Sequence, residues 1–378
     1  MSLLYFQQSK NKEANINNIE EGKMEKRIIA LHLPQYYAFP ENDAWWGKGF
    51  TEWRSCTMAK PRFRGHYEPH IPADLGFYDL RFHECRKAQQ NLAKEYGIYG
   101  FCYYHYWFSG KRIMELPVEE MLKNKEEDFP FMLCWANEDW NRNWENGRNE
   151  ILLKHEYNKD DDIAHFNYLL PFFKDSRYIR VNDKPVIAIH RTDLFPNIEE
   201  TVQLWKSMAK ENGFELYFCR MEAKGTIGKQ YLTPSMDAAI EFQPFNFGGY
   251  GKTKNLTARI INRVLGKTKK SPIYSYKSYV DYKCKQKLER SYKLYPSIVP
   301  SWDNSPRRVG HPFWALKGST PELFKKWFKH VYNTFEPYSE DENFVFINAW
   351  NEWAEGCHLE PDMKFGRGYL EAIKETIE

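Results

Sequence analysis

Two glutamates stand three positions apart in Asn351-Glu352-Trp353-Ala354-Glu355-Gly356, directly after the apolar run Phe344-Val345-Phe346-Ile347. An apolar run of that length reads as a buried β-strand, and core packing alone gives no reason for two acids beside two tryptophans and a glycine at its exit. Paired carboxylates flanked by indole faces suit glycosidic bond cleavage. One acid protonates the leaving oxygen, the other serves as base or nucleophile, and flat apolar surfaces take the sugar rings. An isolated E-x-x-E on a solvated loop would be two ordinary surface acids, so the elements that position the pair decide between the readings.

Eight short apolar runs follow in order: Ile28 to Leu33, Gly100 to Tyr104, Phe131 to Trp135, Val186 to Ile189, Leu216 to Phe218, Ala238 to Phe242, Ser297 to Val299 and Phe344 to Ile347. Amphipathic patterns between several of them predict helices. Tyr78 to Tyr96 has Phe82, Cys85, Leu92 and Tyr96 on one face and Gly97 at its end. Asp160 to Lys174 opens on an acid run that suits a helix dipole, Ile198 to Asn212 closes at Gly213, and Pro321 to Phe335 has Thr320 as its cap. Strand and helix alternating in this way predict a (β/α)8 TIM barrel with long βα-loop insertions, occupying residues 24–378 as a single domain.

In such a barrel the catalytic groups come from the C-terminal ends of the strands, and the polar and aromatic oddities fall there. Pro34-Gln35-Tyr36-Tyr37 follows the first run, His105-Tyr106-Trp107 the second, and Ala136-Asn137-Glu138-Asp139-Trp140 the third. The fourth ends in His190-Arg191, the fifth in Arg220-Met221-Glu222, the sixth carries Glu241, and the seventh opens into Trp302-Asp303. His105, Tyr106 and Trp107 read as hydrogen-bonding aromatics at the mouth or as core residues at a strand end. Asn137 and Glu138 between Trp135 and Trp140 offer hydrogen bonds to hydroxyls beside stacking faces. Glu241 is an acid inside a strand, so it is either functional or ion-paired. The insertion Glu41 to Asp74, with Trp45, Trp46, Glu52, Trp53 and His66, is rich in aromatics as a substrate-covering loop would be.

Composition narrows the partner. The 378 residues carry a net charge of only +3, so no global field recruits nucleic acid or an anionic membrane, and aromatic residues make up 17% of the chain. The second insertion, Gly248 to Lys293, is locally basic, with Lys267, Lys269 and Lys270 clustered. It reads as a solvated face, with an acidic glycan or lipid-linked phosphate as the partner if it binds one. Seven widely spaced cysteines without a C-x-x-C pair suggest neither zinc nor a disulfide framework and fit a reducing, cytoplasmic compartment. Met1 to Lys23 lacks the apolar segment of a signal peptide and reads as a leader ahead of Met24, and no run of 18 apolar residues could span a bilayer. No G-x-G-x-x-G opens a helix, Asn246 breaks the phosphate-loop pattern before Gly251-Lys252-Thr253, and H-E-x-x-H is absent, so neither a cofactor nor a metal is expected.

Several segments together carry a resemblance. Leu31-His32-Leu33-Pro34-Gln35-Tyr36-Tyr37, Trp46-Gly47-Lys48-Gly49-Phe50-Thr51-Glu52-Trp53, Gly100 through Trp107, Trp135-Ala136-Asn137-Glu138 and Trp350 through Gly356 look like the WbsX-type proteins of bacterial polysaccharide loci. Those are similar in turn to glycoside hydrolase family 99, the endo-α-mannosidases and endo-α-mannanases, whose catalytic pair lies in an N-E-W-x-E-G segment on a (β/α)8 barrel. The resemblance implies retention of configuration through a 1,2-anhydro sugar. Glu352 would be the base on the sugar 2-hydroxyl and Glu355 the acid on the leaving oxygen. Tyr36, Trp46, His105, Tyr106, Trp107, Asn137, Glu138, Trp140, Glu241, Trp302, Asn351 and Trp353 are the expected sugar-contacting set.

Two other functions fit the same residues. WbsX-type proteins are commonly labelled glycosyltransferases of O-antigen or capsule synthesis, which would require nucleotide-sugar binding. A barrel that only binds glycans would use both glutamates as hydrogen-bonding groups.

Overall fold

The computed structural model describes residues 24–142, 150–223, 225–244 and 271–378. Eight parallel strands lie side by side: β1 Arg27–His32, β2 Gly100–Phe108, β3 Phe131–Trp135, β4 Lys184–Ile189, β5 Tyr217–Glu222, β6 Ala238–Glu241, β7 in the two pieces Leu294–Tyr295 and Ser297–Ile298, and β8 Phe344–Ile347. Register pairs Ile29 with Gly100, Phe101 with Phe131, Leu133 with Ile187, Val186 with Tyr217, and Ala238 with Cys219. β8 returns to β1 with Phe344 opposite Arg27.

Pro296 explains the split in β7. Proline has no N–H to give a ladder, so the first piece pairs with β6 and the second with β8, while the Pro296 carbonyl still accepts from Phe346 N at 2.9 Å. The two pieces close the barrel. All of β2, β3 and β8 are buried, as strands covered by helices outside and filled by side chains inside must be.

Helices follow the strands in order. The insertion after β1 forms α1 Pro40–Trp46 and α2 Glu52–Met58, and α3 His83–Glu95, α4 Leu116–Lys123, α5 Lys159–Phe173, α6 Ile198–Glu211, α7 Tyr276–Lys283, α8 Pro321–Thr334 and α9 Gly368–Ile377 line the outside. Asn158 caps α5 and Thr320 caps α8, each side chain accepting the backbone N–H three residues on. Among the described residues the β5–β6 connection has a 3-10 turn, Lys229–Tyr231. One expectation needs correction. On α3, Phe82 is the N-cap and points to solvent, while the buried face includes Arg86, Gln89 and Gln90, with Arg86 paired to buried Glu127 at 2.6 Å.

One contiguous apolar cluster joins the barrel interior to the helical layer. Cys56, Cys102, Cys134, Cys219 and Cys357 are buried free thiols within it. No described helix is long and apolar enough to cross a membrane. Met1 to Lys23, the Asn246–Thr253 stretch and the Lys267, Lys269, Lys270 cluster lie outside the described residues.

Candidate active site

Where β8 ends, the chain makes a short antiparallel ladder, Asn351 opposite His358 and Glu352 opposite Cys357, closed by the 3-10 turn Trp353–Glu355. Gly356 completes the reversal at φ +54°, and a Cβ there would come within 3.0 Å of Asp303 on the β7 exit, so only glycine lets the two loops touch. The Asp303 N–H donates to the Glu355 carbonyl across that contact at 2.6 Å. Asn351 fixes the other end of the turn: its Oδ1 accepts from Leu33 N at 2.7 Å and its Nδ2 donates to Leu33 O at 2.9 Å, after β1. The turn is therefore held from both neighbouring strands before any ligand arrives.

Both glutamates aim at one guanidinium. Arg307 Nη2 lies 2.7 Å from Glu352 Oε2 and 2.8 Å from Glu52 Oε1, and its Nη1 lies 2.8 Å from Glu355 Oε1. Three carboxylates thus share one half-buried cation. Burial is the largest influence on Glu352 and Glu355 and raises both pKa values; the Glu52 charge adds to the rise and Arg307 opposes it. Three acids against one base would leave two uncompensated negative charges in a water-poor site, so the cluster favours holding a proton on a carboxyl group at neutral pH.

The pair opens onto a cleft of about 820 Å³ lined by Tyr104, Tyr106, Trp46, Trp140, Trp302 and Glu138 among others. Trp302 stacks on Trp314 with ring centroids 5.0 Å apart, and Trp140 meets the edge of Tyr106 at 5.5 Å. Glu138, which also lines the cleft, is braced by Arg191 Nη1 at 2.6 Å. Seven of the expected residues therefore meet in one concavity: Glu352, Glu355, Trp46, Tyr106, Glu138, Trp140 and Trp302.

The others lie elsewhere, each for a definable reason. β2 runs on to Phe108, so its side chains alternate. Tyr104 and Tyr106 face the cleft, whereas His105 and Trp107 turn out against α5, where His105 Nε2 lies 2.7 Å from His165 Nε2 and Trp107 Nε1 donates to Asp161 at 3.0 Å. Asn137 is fully buried; its Nδ2 donates to Arg191 O at 2.7 Å and its Oδ1 accepts from Arg191 N at 2.8 Å, so it shapes the loop that carries Glu138 and not the ligand surface. Glu241 pairs with buried Lys283 at 2.5 Å, which is the structural half of its two expected roles. Tyr36 donates its hydroxyl to Asn351 O, and Trp353 donates Nε1 to Glu360 at 2.6 Å while stacking on His358. Tyr36, Asn351 and Trp353 sit beneath the turn that carries Glu352 and Glu355 and hold it.

Arg307 and Glu52 were not among the expected residues. Glu52 was noted in the aromatic insertion without a role, and Arg307 lies in a polar loop, Asn304-Ser305-Pro306-Arg307-Arg308, with no pattern to mark it. Tyr104 was legible only through the alternation of a strand longer than the apolar run predicts.

The family model described as glycosyltransferase WbsX matches residues 28–373. The chain belongs to the WbsX family. Curated relatives include WxcX of Xanthomonas campestris pv. campestris strain B100, described as an uncharacterized protein, which is 36% identical over 352 residues covering 93% of this chain and 49% of the relative. This WbsX-family chain spans about half the length of the curated relatives it matches. Among solved structures, a glycoside hydrolase-like protein superposes with a TM-score of 0.57 at 15% identity over 94% of both chains. The family 99 endo-alpha-mannosidase from Bacteroides thetaiotaomicron superposes with a TM-score of 0.52 at 13% identity over 94% of this chain and 97% of its own. Both likenesses are of fold, and the family 99 barrel is the architecture of this WbsX chain.

Proposed function

We propose that the chain is a retaining glycoside hydrolase acting on a bacterial polysaccharide or glycan, with Glu352 and Glu355 as its catalytic pair and an α-mannoside-like sugar as the first substrate to try. The observation that carries this reading is the pair itself: buried Glu352 and half-buried Glu355, both with raised pKa values, sharing Arg307 and lining an aromatic cleft. Glu355, protonated, gives its proton to the leaving glycosidic oxygen while Glu352 takes the proton of the sugar 2-hydroxyl, whose oxygen attacks the anomeric carbon and closes a 1,2-anhydro ring. Water then attacks the same carbon, Glu355 takes the proton of that water, and Glu352 returns its proton to O2. Two inversions give net retention, and the carboxyls end as they began. Burial pushes Glu352 up to about 8, and Arg307, 2.7 Å away, opposes that rise and favours the ionised base while the second carboxyl holds the proton; Trp302, Trp140 and Tyr106 supply faces and edges for the rings.

The test is product analysis in water enriched in ¹⁸O, with α-mannan and capsule or O-antigen oligosaccharides, without metal or nucleotide. Label should enter new reducing ends with the wild type, and Glu355→Gln should fold normally and lose about 10²- to 10⁴-fold in turnover. Full activity in that variant would remove the mechanism.

A second reading, transfer from a nucleotide sugar during surface-polysaccharide synthesis, draws on the family description and on Arg54, Arg307 and Arg308 in the cleft wall, which could meet a diphosphate. Calorimetric binding of a nucleotide sugar, with no label entering any oligosaccharide, would favour it.

A further inference from the structure

Behind the catalytic turn lies a second, smaller cavity of about 80 Å³, whose wall includes His70, His358 and Asp362. All three are buried, and one donor atom from each lies within 4.8 Å of the others. His70 Nδ1 is 2.8 Å from His358 Nε2, and His358 Nε2 is 3.9 Å from Asp362 Oδ2. The cleft chemistry uses none of them.

We propose that His70, His358 and Asp362 bind one divalent transition-metal ion, zinc by preference, which ties the insertion after β1 to the segment that carries the carboxylate pair.

The surroundings fix the donor atoms in the required form. His358 Nδ1 faces the Glu360 carbonyl at 2.9 Å, so Nδ1 carries the ring proton and Nε2 offers its lone pair to the cavity. A backbone acceptor behind a histidine is the usual device for orienting a metal ligand. Asp362 Oδ1 accepts from Lys364 N at 2.8 Å and Phe365 N at 2.6 Å, which leaves Oδ2 turned toward the histidines. His70 Nδ1 faces the His358 Nε2 lone pair at 2.8 Å; a cation entering there takes that lone pair together with the one His70 Nδ1 presents when the His70 ring proton sits on Nε2. A zinc ion needs its two nitrogens about 3.3 Å apart for tetrahedral bonds of about 2.05 Å, an opening of about half an ångström from the present contact. Two nitrogens and one carboxylate oxygen suit zinc, with the cavity supplying a fourth position.

The adjoining trio His66, Glu68 and Asp303 does not suit the same ion. His66 Nδ1 accepts the Arg62 N–H at 2.9 Å, so its proton sits on Nε2 and is donated to Asp303. The chosen site is also knit from both sides by backbone: Ala73 N donates to Pro361 O and Met363 N to Ile71 O, each at 2.9 Å. His70 lies 288 positions from His358, and the remaining pair, His358 and Asp362 four apart, forms no metal pattern by itself.

The test is metal analysis of the full chain purified without chelators, followed by stripping and titration with Co²⁺. The expected result is about one zinc per chain, and a visible d–d band of tetrahedral cobalt on reconstitution. Asp362→Asn keeps the Oδ1 acceptor and the fold, and should weaken metal affinity at least about tenfold; His70→Gln should do the same, while Glu355→Gln retains the metal. Because Glu355→Gln separates the two sites, loss of hydrolysis with metal retained bears on the proposed function and not on this site. Wild-type protein that holds no metal, shows no cobalt band and gains no thermal stability with added Zn²⁺ would overturn the proposal, as would a metal that survives both ligand substitutions.

Discussion

Arg307 is the residue on which the site turns, because a guanidinium stays charged where a lysine in the same surroundings could shed its proton. Its three partners do not divide that charge equally in the proposed function: Glu352 and Glu355 are the pair assigned to the sugar, whereas Glu52, on α2, shapes their field. Glu52→Gln removes a buried negative charge that raises both catalytic carboxyls and leaves more of Arg307 to them, so their pKa values fall. In the proposed mechanism the general acid, Glu355, must be protonated, so activity is expected below its raised pKa and is lost as pH rises through it. The alkaline limb of the kcat/KM profile should therefore move to lower pH in Glu52→Gln, by about one unit or less. A limb that stays in place or moves to higher pH would dissociate Glu52 from the catalytic field. No sequence pattern could have announced this contact, since Glu52 and Arg307 are 255 positions apart, one at the start of α2 and the other in a polar loop. Glu352 and Glu355 were legible because their anomaly is local: two acids in one strand exit.

The elements were legible where pattern and packing coincide. β3 and β8 have the bounds of their apolar runs: every residue in them is buried, and each run stops where the sequence turns polar or leaves the ladder, at Ala136-Asn137 after β3 and at Asn348 after β8. β2 was not, since its second half, His105 to Phe108, is aromatic and polar in sequence yet still buried by α5 and the cleft wall. Glu241 shows the same limit from the energetic side. An acid in a strand is explained either by function or by a partner, and its partner Lys283 lies on α7, beyond reach of any local pattern. With both side chains buried and Ser297 N also donating to Glu241 at 3.3 Å, this pair joins β6, β7 and α7. Lys283→Met leaves an uncompensated carboxylate in the wall and should cost about 3 to 5 kcal/mol in unfolding free energy, much of it regained by adding Glu241→Gln. Denaturant titration of the two variants decides the matter: a double variant as unstable as the single would mean that the lysine stem's packing, and not the charge pair, holds the helix to the barrel.

At the scale of the whole molecule, the cleft is assembled from parts that meet only in the finished barrel. Its wall takes residues from the insertion after β1 (Trp46, Glu52), from β2 (Tyr104, Tyr106), from the β3 exit (Glu138, Trp140), from the β7 exit (Trp302, Arg307) and from the β8 exit (Glu352, Glu355). A ligand that fills it touches segments spread over the chain, so it is bound by the folded state and not by the unfolded one. Stability must then rise with ligand as RT ln(1 + [L]/Kd), about 2.7 kcal/mol at a hundredfold excess over Kd. Glu355→Gln makes that measurable without turnover, because it keeps the shape of the carboxyl group while removing the proton donor. Its thermal midpoint should climb with the concentration of the oligosaccharide that the wild type cleaves. A nucleotide sugar should leave it unmoved. The reverse pattern, with protection by the nucleotide and none by any oligosaccharide at millimolar concentration, would turn the cleft from a hydrolase site into a donor site, because only the molecule whose contacts span these loops can tie the barrel together.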